Sequence, residues 1–282
     1  MLAVSGVFER PVFTVGSRQF RWSDVAESVD WETLRRKAAV TGESVDDAAV
    51  EEAGKRWRYD RSLVAGEEME AWLERWDLQV ADWRAFVRRS AAGDAQPTGE
   101  AGEREIWAEA VCSGELERAA RDLAAREAAT EAAGGMDALH ASACGEKELE
   151  SLLASMRADW IRVDCRTLTL SSENAAREAA LCVRDDGLPL AVVAEQAGAE
   201  LAEHRLILGD TDKALSEALM SARTGELLGP LPVGERWVLI LVEEKSDPTI
   251  DDLEIRQRLE QEAMRRALER EVVNRVRWHE RV

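Results

Sequence analysis

Few residues in this chain are equipped for covalent chemistry. Four cysteines (Cys112, Cys144, Cys165 and Cys182) and three histidines (His140, His204 and His279) stand far apart. They lack the CxxC or Cys/His spacing of a zinc site and do not read as a disulfide framework. No Ser/His/Asp order, glycine-rich phosphate loop or paired-carboxylate motif accompanies them. The sequence therefore assigns no metal, no cofactor and no catalytic residue, and the histidines read as surface residues. Cys165 has no basic neighbour in the sequence to draw off its proton, which argues against a covalent nucleophile. What remains is non-covalent chemistry. Ten tryptophans accompany one tyrosine and four phenylalanines, and Trp22, Trp31, Trp57, Trp72, Trp76 and Trp83 crowd the first third. Indole offers a large apolar area with one N–H handle, a combination favoured at binding surfaces. Trp57, Trp72, Trp76 and Trp83 are expected to line a peptide groove; the alternative is that Trp72 and Trp76, at helical spacing, are core.

The charge narrows the partners. The 282 residues include 37 Lys+Arg and 56 Asp+Glu, a formal net charge of −19. Such an excess of carboxylates repels phosphate backbones and anionic membrane surfaces, so nucleic acid is excluded as a partner. The same field would attract basic peptides, or simply keep the protein in solution. Apolar residues at 45% permit a sizeable core, and the length allows two or three domains. Residues 1–11 hold no basic stretch followed by a long apolar run, and no segment is apolar for long enough to span a bilayer. A cytoplasmic protein without membrane insertion is the expectation.

The elements that would position these residues are mostly helical at first. Val12, Thr14, Phe20 and Trp22 around Gly16-Ser17 suit a short hairpin, followed by a helix capped by Ser23 or Asp24. Apolar residues at three- and four-residue spacing continue to about Arg89. The polar, Gly- and Pro-containing stretch 93–102 reads as a linker between two helical subregions. Residues 104–157 read as two or three helices interrupted at Gly134-Gly135. From Trp160 the alternation of Ile161, Val163 and Cys165 with charged neighbours marks a strand to Leu170. Then come a helix capped near Ser172, a second from Leu188 to Ala197, an extended piece at 206–208 and a helix over 212–222. Two strands, 227–231 and 236–242, are joined at 232–235. Ile255, Leu259, Ala263, Leu268, Val272 and Val276 form one face of a long helix ending near Trp278.

This order of elements over residues 160–244 resembles a parvulin-type peptidyl-prolyl isomerase domain. The resemblance is sharpest in the run from Ala214 through Gly225-Glu226 to Gly229-Pro230-Leu231, followed by the apolar strand Trp237 to Val242 and the acidic pair Glu243-Glu244. Gly225 suits a helix end with positive φ, and Pro230 suits an edge segment that forgoes an amide donor. The wider layout is similar to the SurA/PrsA type of foldase, with residues 11–90 as the chaperone-like part and 251–278 as a returning helix. The resemblance implies one histidine in the first strand and another in the last hairpin. The matching positions hold Arg166 or Thr167, and Val238; the Met and Phe of the proline pocket correspond to about Thr211 and to Leu215. Rotating a prolyl bond crosses a barrier of roughly 20 kcal/mol, lowered by binding the twisted amide better than the planar one. The groups left for that task are Asp164 and Arg166 on the first strand, with Thr211, Leu215 and Trp237 around the pocket.

The reading is thus an α+β protein with a helical SurA-N-like region (1–92), a linker and helical segment (93–157), a parvulin-like domain (158–247) and an amphipathic helix (248–282) packing back on the helical region. Its expected function is non-covalent binding of an unfolded or precursor peptide, as a cytoplasmic chaperone or an accessory of peptide maturation beside peptide-modifying enzymes. Two other readings stay open: an active prolyl isomerase with a substituted site, and a structural assembly subunit.

Overall fold

The computed structural model describes residues 5–42, 44–93, 96–97 and 99–282. It is an α+β structure whose contacts fall into two compact units, Met1–His140 with Arg266–Val282, and Ala141–Arg265. Asp94, Ala95 and Thr98 of the expected linker, and residues 1–4 of the start, lie outside the described residues.

The first unit begins with α1 (Ser5–Phe8), β1 (Pro11–Val15) and β2 (Arg18–Arg21), followed by α2 (Trp22–Ala26), α3 (Trp31–Ala38), α4 (Asp47–Asp60), α5 (Gly66–Arg75) and α6 (Val80–Ala91). The hairpin turns at Gly16, whose φ of 56° favours glycine, and pairs Phe13 with Phe20. Neither Ser23 nor Asp24 is the cap of α2. The helix starts earlier, at Trp22, because the Asp24 carboxylate reaches back to accept the Arg21 N–H at 2.7 Å. Asp30 and Asp46 cap α3 and α4 through the N–H groups of Thr33 and Ala49. Next come α7 (Glu103–Cys112), α8 (Glu115–Ala133) and α9 (Met136–Ala143), and then α10 (Glu146–Met156). Residues 104–157 therefore carry four helices rather than two or three, separated at glycines that include Gly114 (φ 79°) and Gly134 (φ 83°).

Helix α7 packs between α3 and α6 and is buried from Ile106 to Cys112. One apolar core joins Phe13, Trp22, Leu34, Leu73, Trp76 and Phe86 to Trp107, Val111, Leu116 and Ala120. The 93–102 stretch accordingly connects helices within one unit.

The second unit, after α10, runs through β3 (Arg162–Leu170), α11 (Glu173–Arg184), α12 (Leu190–Ala197), β4 (Leu201–Ile207), α13 (Lys213–Ser221), β5 (Leu227–Val233) and β6 (Arg236–Ser246). The four strands form an antiparallel sheet in the order β4-β3-β6-β5. Alternation gives the sheet two faces. On one, Leu168, Leu170 and Leu239 pack against Ala176, Ala179, Leu190 and Val193 of α11 and α12. On the other, Val163, Cys165, Ile240 and Val242 pack against Leu208 and Leu219, the latter from α13. Edge strand β5 holds Pro230 and Pro232 beside a register shift, and its hairpin turns at Gly234-Glu235, inside the expected 232–235 loop but tighter because β5 runs on to Val233.

Helix α14 (Leu253–Arg275) and strand β7 (Val276–Trp278) close the chain. The expected apolar face is only partly right. Ile255, Leu259, Ala263 and Ala267 are buried at strict four-residue spacing, whereas Leu268 and Val272 are half-buried. Ile255 and Leu259 pack with Leu149, Trp160 and Ile207 inside the second unit, so this part of α14 does not return to the helical region. The return is made by the end of α14 from Arg266 onward and by β7, which leaves the helical path at Val276 and pairs antiparallel with β1, Phe13 opposite Trp278.

Candidate functional site

The tryptophans divide by burial. Trp76 is 0% exposed, wedged 4.8 Å from Trp22 and 6.2 Å from Trp107 between ring centroids. It is a core residue and presents no surface to a peptide; partners from distant segments, invisible to local spacing, enclose it. Trp57 and Trp72 are half-buried against the same core in an edge-on pair 5.2 Å apart, and the Trp57 Nε1–H donates to the Cys112 carbonyl at 2.9 Å. Among the described residues no tryptophan belongs to the exposed large apolar side chains.

Trp83 differs. It stands at the side of a groove of about 590 Å³ between α4 and α6, with Val50, Gly54 and Val87. Gly54 is what lets the Trp83 indole lie close against α4: a Cβ there would stand 3.2 Å from Trp83 Cη2. Charged side chains border the groove, among them the Asp47–Arg88 pair at 2.6 Å and the Glu51–Lys55 pair at 3.0 Å. An apolar floor with a charged rim suits one or two apolar side chains of a peptide whose polar groups stay wet. Trp72 lies apart from this groove, beside a second concavity with Leu63, Arg61 and Arg75.

In the second unit the expected pocket residues do not converge. Asp164 and Arg166 alternate with Val163 and Cys165 and share the face of Leu168 and Leu170, where Trp237 also packs. Asp164 accepts from Arg205 at 2.7 Å, and Arg166 pairs with Glu243, so both are engaged in ion pairs. Leu215 packs on the opposite face, and Thr211 bonds its hydroxyl to the Leu208 carbonyl. The structure thus does not bring Asp164, Arg166, Thr211, Leu215 and Trp237 into one pocket: Asp164, Arg166 and Trp237 lie on the Leu168 face of the sheet and Leu215 on the other.

The Leu215 face carries different polar groups. Thr167, opposite Ile240, shares it with Val238, Leu228 and Leu231. His204, on the neighbouring strand, is the register partner of Cys165. Sequence reasoning missed this histidine because β4 begins at Leu201, well before the extended piece expected at 206–208. As an edge strand carrying Glu203, His204 and Arg205, it lacks the apolar alternation that marks a covered strand. Cys165 itself is 1% exposed, and burial, then the Asp164 and Glu243 carboxylates, push its thiol above the ordinary range. A neutral buried thiol is a poor nucleophile. No cluster of three His, Cys, Asp or Glu among the described residues is placed to hold a metal.

The sequence matches no family model and no curated protein. Solved structures to which the chain is similar include PrsA foldases and SurA-like chaperones. The PrsA peptidylprolyl isomerase of Bacillus anthracis is 14% identical, with 86% of this chain and 95% of that one covered and a TM-score of 0.29. The PrsA foldase of Lactococcus lactis is 13% identical, with 96% of each chain covered and a TM-score of 0.32. A chain from the SurA-like chaperones PEB4 and Cj1289 of Campylobacter jejuni is 7% identical, with 96% of this chain and all of that one covered and a TM-score of 0.25.

Proposed function

We propose that the protein is a chaperone-type binder of unfolded or precursor peptides, which it holds non-covalently in the groove between α4 and α6. The observation that carries this reading is the groove lined by Val50, Gly54, Trp83 and Val87, where a glycine inside a helix, at a cost of about 1 kcal/mol relative to alanine, lets the half-buried Trp83 indole pack against α4 and form the groove's side. Apolar burial supplies about 25 cal/mol per Å² before the ordering costs of the peptide, so a floor of this size supports weak, exchangeable binding, as suits a chaperone. A cytoplasmic setting and peptide-modifying enzymes as further partners belong to the same proposal. Titrating a reduced, carboxymethylated unfolded polypeptide into the full chain tests it. Saturable change in indole emission is expected, and Gly54→Leu, which displaces the Trp83 indole from α4, should abolish it while circular dichroism stays native. Undiminished binding by Gly54→Leu would refute the assignment.

A second reading, prolyl isomerisation at a substituted site, is favoured by one observation: His204 and Thr167 lie on the face that also carries Leu215 and Val238. With Arg166 or Thr167, and Val238, at the positions where the resemblance expects histidines, isomerisation of a proline tetrapeptide should be slow or absent. Acceleration like that of an ordinary parvulin, lost in His204→Ala, would replace the non-catalytic reading with this one.

A further inference from the structure

We infer that the α4–α6 groove selects peptide segments that carry carboxylates beside their apolar side chains. The inference rests on the peptide-binding reading above and adds the charge of the segment. Four basic side chains border the groove, Lys55, Arg58, Arg84 and Arg88, against two acidic ones, Asp47 and Glu51. Both acids are matched already: Arg88 donates to Asp47 at 2.6 Å, and Lys55 Nζ lies 3.0 Å from Glu51.

Two guanidinium groups are left over. Arg58 donates to the carbonyls of Leu63 and Val64 at 2.9 and 2.6 Å, which fixes its place without neutralising its charge. Arg84 is exposed, one turn from Arg88 on α6, and has no ion pair among the described residues. On a chain of net charge −19, a concavity with two surplus cations is a local reversal of sign. The overall negative field acts across solvent and fades over about 10 Å at 0.1 M salt, whereas a peptide seated against Trp83 in the groove meets the rim at contact distance. The rim therefore governs which seated segment is preferred, and it opposes the basic clients that the net charge alone implies. Carboxylate is the chemistry that completes it, because guanidinium pairs with carboxylate through two parallel hydrogen bonds.

Two synthetic peptides with the same leucine spacing, one carrying four Glu and the other four Lys, together with a neutral Gln version, test the inference on the full chain. At low salt the Glu peptide should bind roughly tenfold tighter than the Lys peptide, the scale expected of two partly exposed ion pairs, and the difference should shrink as salt is raised. Arg84→Glu, an exposed substitution, should erase the preference. Equal binding of the Glu and Lys peptides, tighter binding of the Lys peptide, or a preference that survives Arg84→Glu would overturn the selection and leave peptide binding standing. Failure of all three peptides to bind would remove the peptide-binding reading and the selection together.

Discussion

Arg89 and Glu109 are the two charged side chains buried in the first unit among the described residues, and they face each other at 3.4 Å. Burial raises the Glu109 carboxyl above its usual value, and the Arg89 charge pulls it back only in part. Removing one partner strands the other charge in the core, so Glu109→Ala should cost about 3–5 kcal/mol in chemical denaturation. Replacing both, Arg89→Met with Glu109→Leu, should restore most of that loss; a double variant as unstable as the single one would show that the pair supports stability. Because the folded-state value of Glu109 is raised, its protonation favours folding at low pH, and that contribution is lost as pH rises through the folded value. Wild type should therefore lose stability relative to Glu109→Gln as pH climbs above 4.5, the carboxyl's ordinary value, and a flat difference would contradict the raised carboxyl. Residue types alone could not reveal this pair, since Glu109 lies in a helix of ordinary charged composition and its burial depends on α3 and α6. The tryptophans show the same limit. Their number was legible, but whether an indole is wall or core depends on partners such as Trp22 and Trp107, which no local spacing reports.

At the scale of elements, periodicity located most helices and strands, and capping residues such as Ser172 and Asp212 fixed the starts of α11 and α13. It failed where pairing partners decide the outcome. Strand β4 was only partly legible because its charged edge hides the alternation, and β7 was read as the end of a helix because Val276 continues the apolar spacing. Its strand conformation comes from pairing with β1. This terminal segment is held by more than backbone bonds. Glu280, 16% exposed, accepts from Arg75 at 2.7 Å and from the Trp22 Nε1–H at 3.2 Å, and lies 3.1 Å from Arg10. Charge-assisted bonds to a mostly buried carboxylate make Glu280→Ala cost about 2–3 kcal/mol in the first unit, read from its denaturation midpoint; an unchanged midpoint would mean the segment is merely resting there. In the second unit, Gly229 has φ +100°, and a Cβ would stand 2.6 Å from the Val238 carbonyl. Gly229→Ala should thus destabilise the sheet by more than about 1 kcal/mol, whereas Gly225→Ala, at φ +83° with open space around it, pays only the backbone strain.

The molecule as a whole is divided in a way that no composition shift announces. Linker-like residues at 93–102 suggest a boundary, yet the core of the first unit needs Trp107, Val111 and Leu116 from beyond it, and Trp278 from the far end of the chain packs on the same core. The first unit is therefore discontinuous, and the second is carried between its two parts as residues Ala141–Arg265. Sequence order conceals this because the closing contacts are strand pairing and ion pairs across more than two hundred residues, as between Arg75 and Glu280. A fragment of residues 1–92 lacks these contacts and should not show cooperative unfolding. Excising 141–265 and joining the remaining parts through a short Gly-Ser linker should instead leave a chain that melts cooperatively and keeps the near-ultraviolet signal of its packed indoles. Since the groove between α4 and α6 lies wholly within that unit, the excised chain should also bind the Glu-bearing peptide within about threefold of the full chain's affinity, a difference under 1 kcal/mol. Cooperative folding of 1–92 alone would refute the discontinuous unit, and loss of peptide binding by a well-folded excised chain would move the client site to residues 141–265.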